Sequence, residues 1–358
     1  MKSGKKLWII IVCAVVLLLV TGIWALTVYI YNENFNRRFQ SYEPRMLRLE
    51  DFDGLERTRY EFPSDKGQML AGYLYSFGEG QHGIVIIAHG FGGGGHNSYM
   101  DVADYFARNG YLVFAYDATG NDESEGKGVG GLPQGVIDLD HAISFVEESG
   151  NFPELPIMLF GHSWGGYSVC SVLSLHPEVK AVIACSGFNS SPDMFEAEGR
   201  NEAGEGIALF MPFMKLHESI RYGKNASVSA MNGFAASDTA VMIVHGSEDD
   251  FVPASIGYDI YYSKYADDPR FSFIRLEGSG HNYVFDDITY INDFNAEFDE
   301  WVKTLDYDPG AKENLDRFAE EKAEYIRDNL DREKWSHKLN RELFERFTDF
   351  YDKNCAAD

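Results

Sequence analysis

The sequence predicts an α/β fold, a mostly parallel sheet with helices on both faces, carried behind one long apolar helix. Three observations predict it. Short apolar runs at 83–88, 111–116, 156–160, 181–185, 240–244 and 271–276 have the length and composition of buried strands. Helix-like stretches at 99–109 and 134–148 separate the first three, and a strand, helix, strand alternation means parallel pairing. Two of the runs end abruptly in glycines, at Gly90-Phe91-Gly92-Gly93-Gly94-Gly95 and at Gly161-His162-Ser163-Trp164-Gly165-Gly166. No fixed-period repeat interrupts this order, and 45% hydrophobic and 15% aromatic residues exclude a disordered chain.

In chain order, residues 1–6 form a short tail and residues 7–30 carry no charge. At ~1.5 Å per residue that segment can cross a hydrocarbon core of roughly 30 Å. Trp24, Tyr29 and Tyr31 stand towards its far end, where aromatic rings favour a membrane interface. The segment exceeds the apolar core of a signal peptide and no small-residue cleavage site closes it, so a retained single-pass anchor in a lipid bilayer is expected. Lys2, Lys5 and Lys6 precede it, and Arg37, Arg38, Arg45 and Arg48 follow it. The very short tail favours a cytoplasmic N-terminus and an extracytoplasmic domain. Residues 31–55, polar and mixed in charge, read as a stalk.

A domain over 56–305 follows. Residues 57–62 and 69–77 flank a Pro63-Ser64-Asp65-Lys66-Gly67 turn and read as antiparallel lead-in strands. The stretch at about 187–238 has no strand pattern, which is the size of a functional lid. It contains Leu209, Phe210, Phe213 and Met214, either an ordinary core helix or an apolar surface that holds an acyl chain. Residues 292–305 read as the last helix of the domain. In the extension over 306–358, Ala319, Ala323, Ile326 and Leu330, then Leu339, Leu343, Phe347 and Phe350, recur at helical steps and predict amphipathic helices docked on the domain.

The formal net charge of −25 excludes a nucleic-acid partner that depends on neutralising phosphates. Cys13, Cys170, Cys185 and Cys355 have no metal-ligand spacing and read as thiols, mostly in the core; no metal and no organic cofactor is expected.

The chemistry gathers at the ends of the apolar runs. Glycines two residues before and after Ser163 suit a sharp strand-to-helix elbow that lifts a hydroxyl to the N-terminus of a helix. The bare loop after His89 leaves a backbone N–H free to face a developing oxyanion, Phe91 being the donor or else Gly92, with the N–H of Trp164 as the second. The run at 240–244 leads into the acidic cluster Glu248-Asp249-Asp250, and the run at 271–276 into His281. Serine, acid and histidine then follow one another along the chain, each just past a strand's carboxyl end, where parallel sheets meet ligands. A serine hydroxyl needs a neutral imidazole to take its proton, and the imidazole needs a carboxylate to hold its tautomer.

Taken together, His89-Gly90-Phe91-Gly92, Gly161-His162-Ser163-Trp164-Gly165-Gly166, His245-Gly246-x-x-Asp249-x-x-Val252-Pro253 and Gly280-His281 resemble the α/β-hydrolase family, in the branch of monoglyceride lipases, lysophospholipases and serine aminopeptidases. The resemblance covers roughly residues 57–305. It implies an α/β-hydrolase fold with a helical cap and places the acid on Asp249 rather than Asp250. Where many relatives read D-x-R-G-x-G-x-S, this chain reads Asp117-Ala118-Thr119-Gly120-Asn121-Asp122-Glu123-Ser124, without the arginine. The expectation is a membrane-anchored serine hydrolase with Ser163, Asp249 and His281 catalytic, acting on a lipid or other acyl ester. An aminopeptidase-like amide hydrolase, with Glu196, Glu198, Glu202 or Glu205 pairing a free amine, is the alternative. A silent binding module is a third reading.

Overall fold

The structure is a computed structural model and describes residues 2–355. Among these, the strands are β1 (Glu56–Pro63), β2 (Met69–Ser76), β3 (Gly83–Ala88), β4 (Tyr111–Tyr116), β5 (Ile157–His162), β6 (Ala181–Cys185), β7 (Ala240–Gly246) and β8 (Phe271–Leu276). They form one sheet in the order β1-β2-β4-β3-β5-β6-β7-β8. β1 and β2 pair antiparallel, as do β2 and β4, and every other neighbour is parallel. Every residue of β3, β4, β5 and β6 is buried. Both faces are covered, so alternate side chains feed two cores: Ile84, Ile86 and Leu159 on one side, Val85, Ile87 and Phe160 on the other. That is why these strands read as unbroken apolar runs.

The helices are α1 (Lys2–Phe35), α2 (Met100–Arg108), α3 (Pro133–Glu148), α4 (Trp164–Ser171), α5 (Ser191–Ala203), α6 (Met211–Tyr222), α7 (Ala230–Ala236), α8 (Tyr258–Tyr265), α9 (Thr289–Lys303), α10 (Leu315–Asn329), α11 (Arg332–Ser336) and α12 (Arg341–Cys355). Helices α5, α6 and α7 occupy the β6–β7 connection as a cap. The Ser190 side chain caps the start of α5, and Gly204, at φ +56°, ends it. Helix α8 lies in the β7–β8 connection, which the sequence left unassigned, because its buried face is made of Tyr258, Tyr261 and Tyr265 rather than aliphatic residues.

Helix α1 is continuous and long and apolar enough over Lys5–Phe35 to cross a membrane, and no part of its most apolar stretch is buried. Its inner end is different. Thr27, Tyr31 and Phe35 are buried against the domain. The stretch expected to be a stalk is docked throughout: 31–35 continue α1, Leu47, Phe52 and Leu55 are buried, and Phe39 bridges to Asn121. A few aromatic and leucine side chains in a polar segment suffice to seat it, which average composition hides. At the other terminus Ile326, Leu330, Leu343 and Phe347 are buried, whereas Ala319 is exposed and Phe350 half-buried. Tyr351 of α12 reaches the sheet and donates to the Leu159 carbonyl at 2.7 Å.

Candidate active site

Ser163 links β5 to α4 with φ +57°, in the left-handed region that a residue with a side chain adopts only under constraint. The constraint is close packing of backbone. A Cβ on Gly165 would stand 1.9 Å from the Ala88 carbonyl oxygen, and one on Gly161 2.3 Å from that of Gly165. The turn projects Ser163 Oγ to 2.9 Å from Nε2 of His281, in the loop after β8. The other ring nitrogen, Nδ1, lies 2.8 Å from Oδ2 of Asp249, in the loop after β7. A carboxylate only accepts, so Nδ1 carries the proton and Nε2 is free to accept from the serine.

Asp249 is buried while Asp250 is exposed. Its Oδ1 accepts the N–H groups of Phe251 at 3.1 Å and Val252 at 2.8 Å. Burial alone would raise this carboxyl, but the hydrogen bond and charge of His281 and the Val252 N–H hold it below the ordinary carboxylate range.

Trp164 is the first residue of α4, so its N–H has no partner within the helix. Its ring meets that of Phe91 edge-on at 5.6 Å, and the ring N–H donates to the Leu132 carbonyl at 2.7 Å. The two residues expected to supply oxyanion donors are therefore neighbours beside Ser163. The sequence reading assigned no role to the groups that brace them. The Gly90 N–H donates to Tyr99 Oη at 2.9 Å, Tyr99 Oη lies 2.9 Å from Nδ1 of His162, and His162 Nε2 donates to the His281 carbonyl at 3.0 Å. Burial and the neighbouring His281 push the His162 imidazole down to about 3, so it serves as a neutral strut between the glycine loop, the elbow and the histidine loop. His89 likewise takes the Ala118 N–H on Nε2 at 3.0 Å and donates from Nδ1 to the Gly90 carbonyl at 2.7 Å.

A family described as "Serine aminopeptidase, S33" matches residues 79–231, a span that holds the glycine loop, the elbow and most of the cap. The chain has the α/β-hydrolase fold and belongs to that superfamily. It is 35% identical to a monoglyceride lipase of Rattus norvegicus over 86 residues, which cover 23% of this chain and 27% of that one. It is 28% identical to a monoacylglycerol lipase of Mycolicibacterium smegmatis over 133 residues, 37% of this chain and 46% of the relative. The matched stretches thus span less than half the length of these relatives. Among solved structures, an esterase of Pyrococcus furiosus superposes with a TM-score of 0.50 at 19% identity, covering 70% of this chain and 91% of that one.

In this α/β-hydrolase, Ser163 stands where two cavities meet, and Phe91 and Phe251 also line both. One cavity, about 560 Å³, lies under the cap and is walled by Phe35, Leu132, Met194, Phe195, Ile207 and Phe210. The other, about 430 Å³, is more polar and includes Arg45, Asp286 and Lys338. Lys338 pairs with Asp101 and lies 3.9 Å from Asp286; burial nevertheless pushes the Asp286 carboxyl up to about 7.

Of the four apolar cap residues singled out from sequence, only Phe210 lines either of these two cavities. Leu209 is 57% exposed, Met214 is wholly buried in the core and Phe213 is half-buried away from both cavities. The chain turns from a 3-10 segment into α6 here, so the four side chains fan out instead of sharing one face. Of the cap acids, Glu196 and Glu205 are tied to Arg200, whereas Glu198 and Glu202 line the apolar cavity and make no ion pair among the described residues. The loop that lacks the arginine is braced from elsewhere in the chain. Arg38 donates to the carbonyls of Asp122, Ser124 and Gly126 at 2.6, 2.9 and 2.8 Å. Glu147, His176 and Glu178 could approach one cation, but both His176 nitrogens are already engaged, by Glu178 and Asp140 at 2.8 Å each, and none of the three lines either cavity.

Proposed function

We propose that the protein is a membrane-anchored serine hydrolase that cleaves a carboxylic ester, a lipid or other acyl ester, through an acyl-enzyme. The observation that carries this reading is the line from Ser163 Oγ through His281 to Asp249, at 2.9 and 2.8 Å, opening on an apolar cavity. Ser163 Oγ attacks the ester carbonyl while its proton passes to His281 Nε2. Asp249 stabilises the imidazolium, and the N–H groups of Phe91 and Trp164 receive the oxyanion. As the tetrahedral intermediate collapses, the acyl–oxygen bond breaks and His281 returns the proton to the departing alcohol. Water then repeats the sequence on the acyl-enzyme and releases the acid. The apolar cavity suits the acyl group and the polar one the alcohol. The buried inner end of α1 favours a retained anchor over a cleaved leader.

A fluorophosphonate probe should label Ser163 and leave Ser163→Ala unlabelled; labelling that survives the substitution refutes the assignment. Hydrolysis of a short p-nitrophenyl ester, lost in His281→Ala, separates an enzyme from a silent binding module. One observation favours a second reading: Glu198 and Glu202 face the cavity without an ion-pair partner among the described residues, and burial and the charge of Glu202 raise the Glu198 carboxyl. A substrate amine would relieve that repulsion. In a panel of monoacylglycerols, short esters and aminoacyl amides with the full chain in detergent, the esters should show the higher kcat/KM. Preference for aminoacyl amides, abolished in Glu198→Gln/Glu202→Gln, would reverse the order of the two readings.

A further inference from the structure

Resting on the acyl-ester reading, we infer that the inner end of α1 is a wall of the acyl-binding site, so that the bilayer-crossing segment itself holds the acyl chain of a bilayer lipid beside Ser163. Ile30, Asn34 and Phe35 line the apolar cavity together with Ser163, Trp164 and Phe210. They belong to a helix seated by a stripe at steps of four, Ile23, Thr27, Tyr31 and Phe35, the last three buried.

The seat joins α1 to both the cap and the glycine loop. The Tyr31 ring stacks on Phe195 of α5 at 6.2 Å, and its hydroxyl donates at 2.6 Å to Glu218 of α6. That carboxylate, buried, takes its other hydrogen bond from Ser191 at 2.5 Å. A buried carboxylate is costly to leave unpaired, so Tyr31 is a latch rather than a passing contact. Phe35 lies 6.1 Å from Phe91 and 6.0 Å from Phe195, and Phe39 caps Phe91 edge-on at 4.9 Å. The residue expected to offer an oxyanion donor is thus packed on the end of the anchor.

Outward from Ile30, the helix carries no charge as far as Leu7, and beyond Ile23 its surface is open. An acyl chain lying along α1 passes from the uncharged helix surface over Ile30 and Phe35 towards the serine, with Asn34, Glu198 and Glu202 forming the polar part of the cavity wall. An acetyl ester uses only the serine end of the cavity, whereas a long acyl group must run past Ile30 and Phe35. The wall therefore acts on chain length.

The test uses the full chain in lipid nanodiscs with p-nitrophenyl acetate and dodecanoate. Ile30→Trp should lower the dodecanoate-to-acetate ratio of kcat/KM at least tenfold, while Leu18→Trp, at a position 72% exposed on the outer half of α1, should leave the ratio within twofold. A ratio unchanged within twofold in Ile30→Trp overturns the inference while leaving the hydrolase reading intact. Absence of Ser163-dependent hydrolysis of either ester in the unaltered chain instead breaks that reading. Because Ile30→Trp could disturb folding, a second measurement needs no substitution: a long-chain fluorophosphonate with a terminal diazirine, photolysed after reaction. Crosslinks to residues 27–37 are expected. Crosslinks confined to 188–210 of the cap overturn the inference.

Discussion

Ser163, Asp249 and His281 each stand within five residues of the end of β5, β7 or β8, whereas the two cavities beside them are walled by residues from Ile30 to Lys338. The first group is placed by parallel pairing and tight turns, such as the Gly161–Gly165 contact that leaves no room for a side chain. The second is placed by packing of the N-terminal segment, the cap and the C-terminal extension onto those strand ends. The difference teaches how faults should separate. Damage at the strand ends should remove chemistry with little change in which ester is preferred, and damage in the covering segments should change preference and stability while leaving residual chemistry.

The largest effects test the first half of that contrast. Ser163→Ala should lower kcat by about 10⁴-fold or more, and Asp249→Asn by about 10²- to 10⁴-fold, as expected when the imidazole is left in the wrong tautomer. Asp250→Asn, at an exposed neighbour, should stay within about threefold by the ordinary tolerance of surface sites. Steady-state rates on one p-nitrophenyl ester decide it, and the reverse ranking of the two aspartates moves the acid.

Next in size is a pH effect at the strut between the two halves. The His162 imidazole is held at about 3, by burial and the nearby His281, against an ordinary 6.5. The unfolded chain takes up a proton below pH 6.5 and the native chain does not, so the contribution is full above 6.5 and is lost as pH falls towards 3. Between pH 7 and 5 this amounts to about 2 kcal/mol of stability. Unfolding by denaturant in detergent, followed by tryptophan fluorescence, should show His162→Gln with a flatter acid limb than the unaltered chain. Equal slopes would remove the strut from the account.

Smaller effects belong to the covering segments. Tyr31→Phe leaves the buried Glu218 with the Ser191 hydroxyl as its remaining donor and should cost about 1–2 kcal/mol of stability. Arg38→Ala frees three loop carbonyls that are partly in water and should cost about 1 kcal/mol. Thermal midpoints measure both. A loss of activity on the scale of Asp249→Asn from either would erase the contrast between strand ends and cover.

The sheet was legible because each parallel strand is a short, wholly apolar run closed by a turn residue; the runs at 83–88, 111–116, 181–185 and 271–276 coincide with β3, β4, β6 and β8. Helix α8 was not, since tyrosines make up its buried face. His162 and Tyr99 gave no signal either, because a lone histidine or tyrosine acquires a partner only when Gly90 and His281 are brought to it. Tyr31, Phe35 and Phe39 did leave a trace, aromatic residues four apart just beyond the uncharged segment, but a stripe does not say what it packs against.

By itself, the sequence determined the α/β order, a serine at the strand-to-helix elbow, and a helix long enough for a bilayer. Each of these is a local demand of the backbone, a turn that only glycine permits or a run that only a covered strand can bury, and such demands are met within a few residues. Tertiary structure alone decided that the expected stalk is docked, that Arg38 braces the loop lacking its own arginine, that Phe210 and not Leu209 or Met214 lines the cavity, and that α1 walls it. Those outcomes depend on packing between segments far apart in the chain, which carries no local period to read.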